Sequence, residues 1–84
     1  MTIEEELKSM LVNHGLFESM AEKVVEEVKA DSSNMTMQGR WHDKREDYPS
    51  VIFAICWMSA RVHALKIIDA ECPKHWARQV FVNP

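Results

Sequence analysis

Cys72 and His75 are the residues of this sequence that most resemble a catalytic nucleophile and its base. Cys72 precedes Pro73, which favours the first turn of a helix, and a helix N-terminus favours the reactive thiolate form of cysteine. Nucleophilic catalysis also needs a group that orients the base and donors that hold the oxyanion. The sequence has no pattern for either. We therefore predict that Cys72 caps a helix and that the chain has no catalytic residue.

Four residues have side chains that bind zinc: His42, His63, Cys72 and His75. Only Cys72 and His75 have the close spacing of a ligand pair, whereas a structural zinc site usually needs two such pairs. Neither a calcium-binding loop nor a glycine-rich phosphate loop is visible. The sequence thus predicts no metal, no cofactor and no enzymatic activity. It also indicates that His63 and His75 are ordinary surface or boundary residues.

Cations alternate with aromatic residues in the segment MQGRWHDKREDYPS at residues 37–50. Aromatic rings stack on bases and cations hold phosphates, so one interpretation is nucleic-acid binding. The residues that would carry it are Arg40, Trp41, Lys44, Arg45 and Arg78. Three acids in the same segment offset its positive charge, and residues 1–30 hold seven Glu against three Lys. Because acidic surfaces repel phosphate, nucleic-acid binding is the alternative hypothesis.

Protein–protein binding is the function that the composition favours. Tyr, Trp, Met and Arg are enriched at protein interfaces, and the segment 37–50 contains all four types. The acidic face of the first two predicted helices would suit a basic partner. The candidate interaction residues are Arg40, Trp41, Lys44, Arg45, Tyr48, Glu22, Glu26 and Arg78.

The length, composition and net charge of the chain are those of one small folded domain. It has 84 residues, of which 46% are hydrophobic and 27% charged, with a net charge of −3. Two cysteines are too few for a disulfide scaffold, so reduced thiols in the cytoplasm are expected. We expect no signal peptide in the acidic N-terminus, and no membrane span, since the apolar run Val51–Met58 is far shorter than the roughly 20 residues required.

Two amphipathic helices are predicted in the first third of the chain. Thr2 and Glu5 have the spacing of a capping box, and apolar residues then recur at helical spacing. A second apolar stripe runs from Phe17 to Val28, with glutamates on the other face. Gly15 lies between the two stripes and can take the left-handed conformation that ends a helix. These patterns predict an antiparallel hairpin of helices over residues 3–14 and 17–30.

A long third helix is predicted from Pro49 to about residue 70. Its first half, Val51–Met58, is apolar on all sides, which is typical of a helix at the centre of a core. Three short helices would not cover this run completely, so a homodimer that buries it against a second copy is also predicted. Cys72 and Pro73 break this helix and start a fourth over residues 74–81.

The segment 37–50 has two interpretations that the sequence leaves open. It is long for an unstructured connection within a small domain. Trp41 and Tyr48 either dock on the helices and hold the segment in place, or stand exposed as a binding site. Docking is the favoured interpretation, with Tyr48-Pro49 setting the start of the third helix.

Residues 37–49 (MQGRWHDKREDYP), the apolar helix after them and the stretch IDAECPKHWARQVF resemble a pattern in small, uncharacterised proteins of bacteriophages and prophages. The resemblance covers about residues 35–81. It implies a bacterial cytoplasmic setting and an accessory role exerted by binding a host protein. It carries over no catalytic or binding residue.

The sequence as a whole predicts a single all-α domain over residues 1–84. The predicted architecture is a small four-helix bundle with an N-terminal helical hairpin, a long ordered loop, a long central helix and a short C-terminal helix. The predicted function is non-enzymatic protein binding.

Overall fold

Helices account for nearly all the regular structure of the chain in the computed structural model, which describes residues 1–82. The elements are α1 (Ile3–Asn13), α2 (Glu18–Ala30), 3-10 helices at Ser32–Met37 and Arg45–Asp47, α3 (Ser50–Glu71) and α4 (Arg78–Val82). The part of the chain described contains no β-strand, only an isolated bridge between Thr2 and Lys44. The predicted all-α fold class is confirmed.

The first two helices end within one residue of the predicted positions because local signals set their limits. Thr2 accepts a hydrogen bond from the Glu5 backbone N–H (3.1 Å), and the Glu5 carboxylate accepts one from the Thr2 N–H (2.9 Å). This capping box satisfies N–H groups that the first helical turn leaves without partners. Gly15 has φ +110° at the turn into α2, a conformation that favours glycine. The buried faces of α1 and α2 pack on each other and on α3.

Helix α3 runs the length of the molecule. Its 22 residues span about 33 Å at 1.5 Å per residue, against a longest molecular dimension of 37 Å. Pro49 lies in the extended conformation just before its first turn. Its buried residues recur at helical spacing and face mainly α2: Phe53, Cys56, Ala60, His63, Ala64, Ile67 and Ile68.

The prediction that Val51–Met58 forms the centre of the core is wrong. Val51, Ile55 and Met58 are all exposed, and most of the buried positions of α3 fall in its second half. An apolar run without a polar face does not show which side packs on the rest of the chain, and here one side only does so. The expectation that the short helices would leave this run partly uncovered is confirmed.

The fourth helix is shorter than predicted, and Cys72 does not cap it. Cys72 ends α3, its N–H donating to the Ile68 carbonyl at 2.8 Å, and residues 73–77 form turns before α4 begins at Arg78. The Nδ1 atom of His75 accepts a hydrogen bond from the Ala77 N–H at 3.0 Å. This local bond replaces a helical one, so the helix is delayed. His75 is buried, which corrects its prediction as a surface or boundary residue.

The segment before α3 is bonded to the beginning of α1. The N–H groups of Ile3 and Glu4 donate to the carbonyls of Asp43 and Trp41, both at 3.0 Å, and the Arg45 N–H donates to the Met1 carbonyl at 2.9 Å. The first N–H groups of a helix have no partner within it. The segment supplies carbonyls for two of them and is thereby held in place.

Candidate binding surface

Trp41 and Arg45, two of the predicted interaction residues, serve to hold the segment on the helices. Trp41 is only 4% exposed and belongs to the apolar core. The Arg45 guanidinium lies 4.8 Å from the centre of the Phe53 ring, pairs with Glu6 at 3.0 Å and donates to the Tyr48 carbonyl at 2.9 Å. With these contacts made inside the chain, neither side chain is presented to a partner.

The other candidates of this segment differ in exposure. Tyr48 is half-buried, and its hydroxyl donates to the Asp43 carboxylate, a bond that raises the pKa of Tyr48. Arg40 and Lys44 are exposed. The segment is therefore a packed loop with two cations on its outer side, and the favoured docking interpretation agrees with this placement.

The remaining candidates lie on other elements and are paired there. Glu22 and Glu26 are exposed on α2, where Glu22 pairs with Lys8 at 3.0 Å and Glu26 with Lys29 at 3.4 Å. Arg78, at the start of α4, pairs with Asp69 at 2.7 Å. The eight predicted interaction residues are thus spread over the loop, α2 and α4 rather than gathered into one site.

The outer face of α3 carries an apolar surface that overlaps the run Val51–Met58, which is predicted from the sequence to pack against a second copy but is not among the candidate interaction residues. Its four side chains are Val51, Ile55, Met58 and Val62, with exposed fractions of 63, 55, 64 and 60%. We call these four residues the α3 stripe. They follow one another at intervals of four, three and four residues, which places them on one face of the helix. Within residues 1–82, no element covers this face.

The spacing that reveals the stripe is present in the sequence but is hidden by its neighbours. Phe53 and Cys56 lie between the stripe residues along the chain and are equally apolar, yet they face the core. Intervals of four and three residues are those of the a and d positions of a heptad, which coiled-coil helices present to a partner helix. Only the structure shows which of the two apolar faces is left open.

His63 joins α3 to the end of α2 through two carboxylates, and it is buried rather than at the surface or boundary as predicted. Its Nδ1 lies 3.0 Å from Glu27 Oε1 and its Nε2 lies 2.6 Å from Asp31 Oδ2. The bond from His63, with two more from Ser33, lowers the pKa of Asp31 from 3.8 to about 2. The three residues Glu27, Asp31 and His63 form a brace between α2 and α3.

Features that would indicate small-molecule or metal chemistry are few. No group of three or more His, Cys, Asp or Glu side chains is placed to hold a metal ion in the part of the chain that the structure describes. A surface groove of about 410 Å³ lies between α1 and α2, lined by Glu4, Glu5, Lys8, Glu22, Val25 and Glu26. Its lysine is already paired with Glu22, and ligand sites are usually more apolar than this groove.

Helix α3 is also long and apolar enough, by length and composition alone, to cross a membrane. The core helix of a folded domain can meet the same test. One face of α3 contributes seven residues to the packed interior, which leaves the α3 stripe as its exposed apolar part.

No protein-family model, no curated protein and no solved structure matches this chain. Its function is therefore inferred from its own geometry.

Proposed function

We propose that this chain is a non-enzymatic protein-binding module and that the α3 stripe is its binding surface. The main support for this proposal is structural: four large apolar side chains are exposed on one face of α3, whereas its other face is packed. Single exposed apolar residues are ordinary, but a contiguous apolar patch on a small domain marks an interaction site.

The gain from covering the stripe is large for a domain of this size. Removing a half-exposed valine, isoleucine or methionine side chain from water contributes about 1 to 2 kcal/mol. The chain does not obtain this gain by itself, because α4 spans only Arg78–Val82 and packs elsewhere on α3. In the small four-helix bundle that we propose for the chain, the fourth helix is thus too short to close the outer side of α3.

The stripe suits a partner that presents a helix. Its intervals of four, three and four residues alternate as the a and d positions of a heptad do, so a second helix can follow it over about 17 Å, the rise between Val51 and Val62. The flanking residues Ala54 and Ser59 are small and uncharged, which allows close approach of the two helix axes.

The resemblance of residues 35–81 to small phage and prophage proteins supports a bacterial cytoplasmic setting and a host protein among the partners.

Nucleic-acid binding, the alternative function, has less support in the geometry. Trp41 is buried and not open for stacking on bases, and Arg45 and Arg78 are paired with carboxylates of the same chain.

The proposal is tested by placing a photo-activated crosslinking amino acid at Met58 and, as a control, at Val12, an exposed apolar residue of α1. After irradiation in a bacterial host, we expect the Met58 probe to give a discrete protein adduct and the Val12 probe to give none. The adduct should disappear when Val62→Lys is added, while the fold is unchanged by circular dichroism. Equal labelling from both positions, or no adduct from Met58, would show that the stripe is not a protein-binding surface.

A further inference from the structure

Resting on that proposed function, we propose that the partner on the α3 stripe is a second copy of this chain, packed with its α3 antiparallel to the first. In a two-fold dimer the same patch is used by both copies, so the patch must complement itself. The α3 stripe meets this requirement, because its apolar positions are symmetric about a point between Ile55 and Met58.

The heptad spacing sets the register of this pair. Antiparallel helices pack a positions of one chain against d positions of the other. Ile55 and Val62 occupy a positions, and Val51 and Met58 occupy d positions. Ile55 of each copy then packs against Met58 of the other, and Val51 packs against Val62. All four side chains of each copy are covered at once.

The charges beside the stripe favour the antiparallel direction. Arg61 and Lys66 follow the centre of the stripe, and a parallel pair would bring these cations of one copy against those of the other. In the antiparallel register Lys66 lies away from Arg61 of the other copy and towards the N-terminal end of its α3. The turn that precedes that end carries two exposed acids, Glu46 and Asp47, beside the exposed Lys44, and these acids are the carboxylates that Lys66 can approach.

The area of the stripe predicts a weak dimer. Four side chains that are 55–64% exposed form a patch of a few hundred Å². A stable, specific interface usually buries about 800 Å² on each partner. We therefore expect association in the micromolar range or weaker, so that dimer and monomer exchange as the concentration changes.

Sedimentation equilibrium of the purified chain over micromolar to millimolar concentrations tests the proposal. We expect the mean mass to rise from monomer to dimer. Val62→Lys should weaken association at least tenfold, because it puts a cation against Val51 of the other copy. The matched control Val12→Lys, on α1, should leave association unchanged. Both positions are exposed, so neither variant is expected to unfold the chain.

Two further variants test the direction of the pair. Lys66→Glu should weaken association if the helices are antiparallel, since the new carboxylate would meet Glu46 and Asp47. In a parallel pair it would strengthen association by removing the contact between like charges. In a Cys72→Ser background, a mixture of Val51→Cys and Val62→Cys chains should form a mixed disulfide, whereas either chain alone should not. A disulfide between two Val51→Cys chains would overturn the antiparallel arrangement.

The same measurements separate this inference from the proposed function. A purified chain that stays monomeric at millimolar concentration, while the Met58 probe still captures a different protein in cells, overturns the dimer and leaves the binding surface standing. A monomer without any Met58 adduct overturns both. A chain that is monomeric alone but binds lipid vesicles through the stripe, with binding lost in Val62→Lys, also overturns both.

Discussion

At the scale of single residues, the side chains that favoured a binding site in the sequence turn out to hold the loop in place. Trp41 is buried, and Arg45 contacts Phe53, Glu6 and the Tyr48 carbonyl. The sequence predicted that large residues of this loop dock on the helices, because a solvated connection has no use for them. It named Trp41 and Tyr48 for this role, but it did not identify the inward contacts of Arg45, since a loop has no periodicity that assigns its side chains to a face.

Trp41→Ala should destabilise the fold strongly. Removing a buried tryptophan side chain leaves a cavity and costs about 3 to 5 kcal/mol. For a domain of this size, that lowers the melting temperature by roughly 10 °C or more. Arg40→Ala, one position earlier and exposed, is the control and should change the melting temperature little. Equal melting temperatures for wild type and Trp41→Ala would contradict the packed position of Trp41.

The sequence could not predict the brace formed by His63, Glu27 and Asp31. Its residues lie on different elements, and only the packing of α2 on α3 brings them together. The brace makes the free energy of unfolding depend on pH in the acid range. The pKa of Asp31 is lowered from 3.8 to about 2 in the folded chain, first by the bond from His63. A carboxyl with a depressed folded pKa stabilises the fold above its ordinary pKa, and the contribution is lost as the pH falls towards the folded value.

Asp31→Asn is therefore expected to lower the urea midpoint at neutral pH. The difference from wild type should shrink as the pH falls from about 3.8 to 2, where the wild-type carboxyl takes up its proton. Asp47→Asn, an exposed acid outside the brace, serves as the control. A difference that stays constant over this pH range would show that the charge of Asp31 does not contribute through the brace.

At the scale of elements, the sequence predicted α1, α2 and α3 to within about one residue at each end, because caps, proline and apolar periodicity act locally. The fourth helix was predicted too long, since the His75 side chain competes with the helical hydrogen bonds near Ala77. The centre of the core was also misplaced. An apolar run on all sides, as in Val51–Met58, contains no period from which the packed face could be read.

Gly15, in the turn between α1 and α2, is expected not to tolerate a larger residue. Gly15 has φ +110°, and a Cβ there would lie within 2.5 Å of the Trp76 ring. Gly15→Ala should lower the free energy of unfolding by about 1 to 2 kcal/mol from backbone strain alone, with the contact adding to it. Gly39→Ala is the matched control, because Gly39 also has positive φ but open space around it. A smaller loss for Gly15→Ala than for Gly39→Ala in urea unfolding would contradict the close approach of Trp76.

At the scale of the whole molecule, residues 1–82 form a folded unit that leaves the α3 stripe uncovered, with Phe17, Met35 and Trp76 as further exposed apolar side chains on other elements. The incomplete cover of α3 was predicted from the small number of helices, and the structure adds which four side chains are exposed. It also places the acidic groups of α2 on other surfaces, where lysines partly neutralise them. The α3 stripe is thus the surface through which we expect this protein to meet its partner, and the first partner we expect is its own copy.

The most direct test of that claim is a dilution series of backbone amide NMR spectra, from millimolar to micromolar concentration. We expect chemical-shift changes concentrated around Val51, Ile55, Met58 and Val62, with none in the α1 residues around Val12. The same series on Val62→Lys should show almost no change. Spectra that do not depend on concentration, or changes centred on the Arg40–Tyr48 loop, would show that the α3 stripe does not mediate self-association.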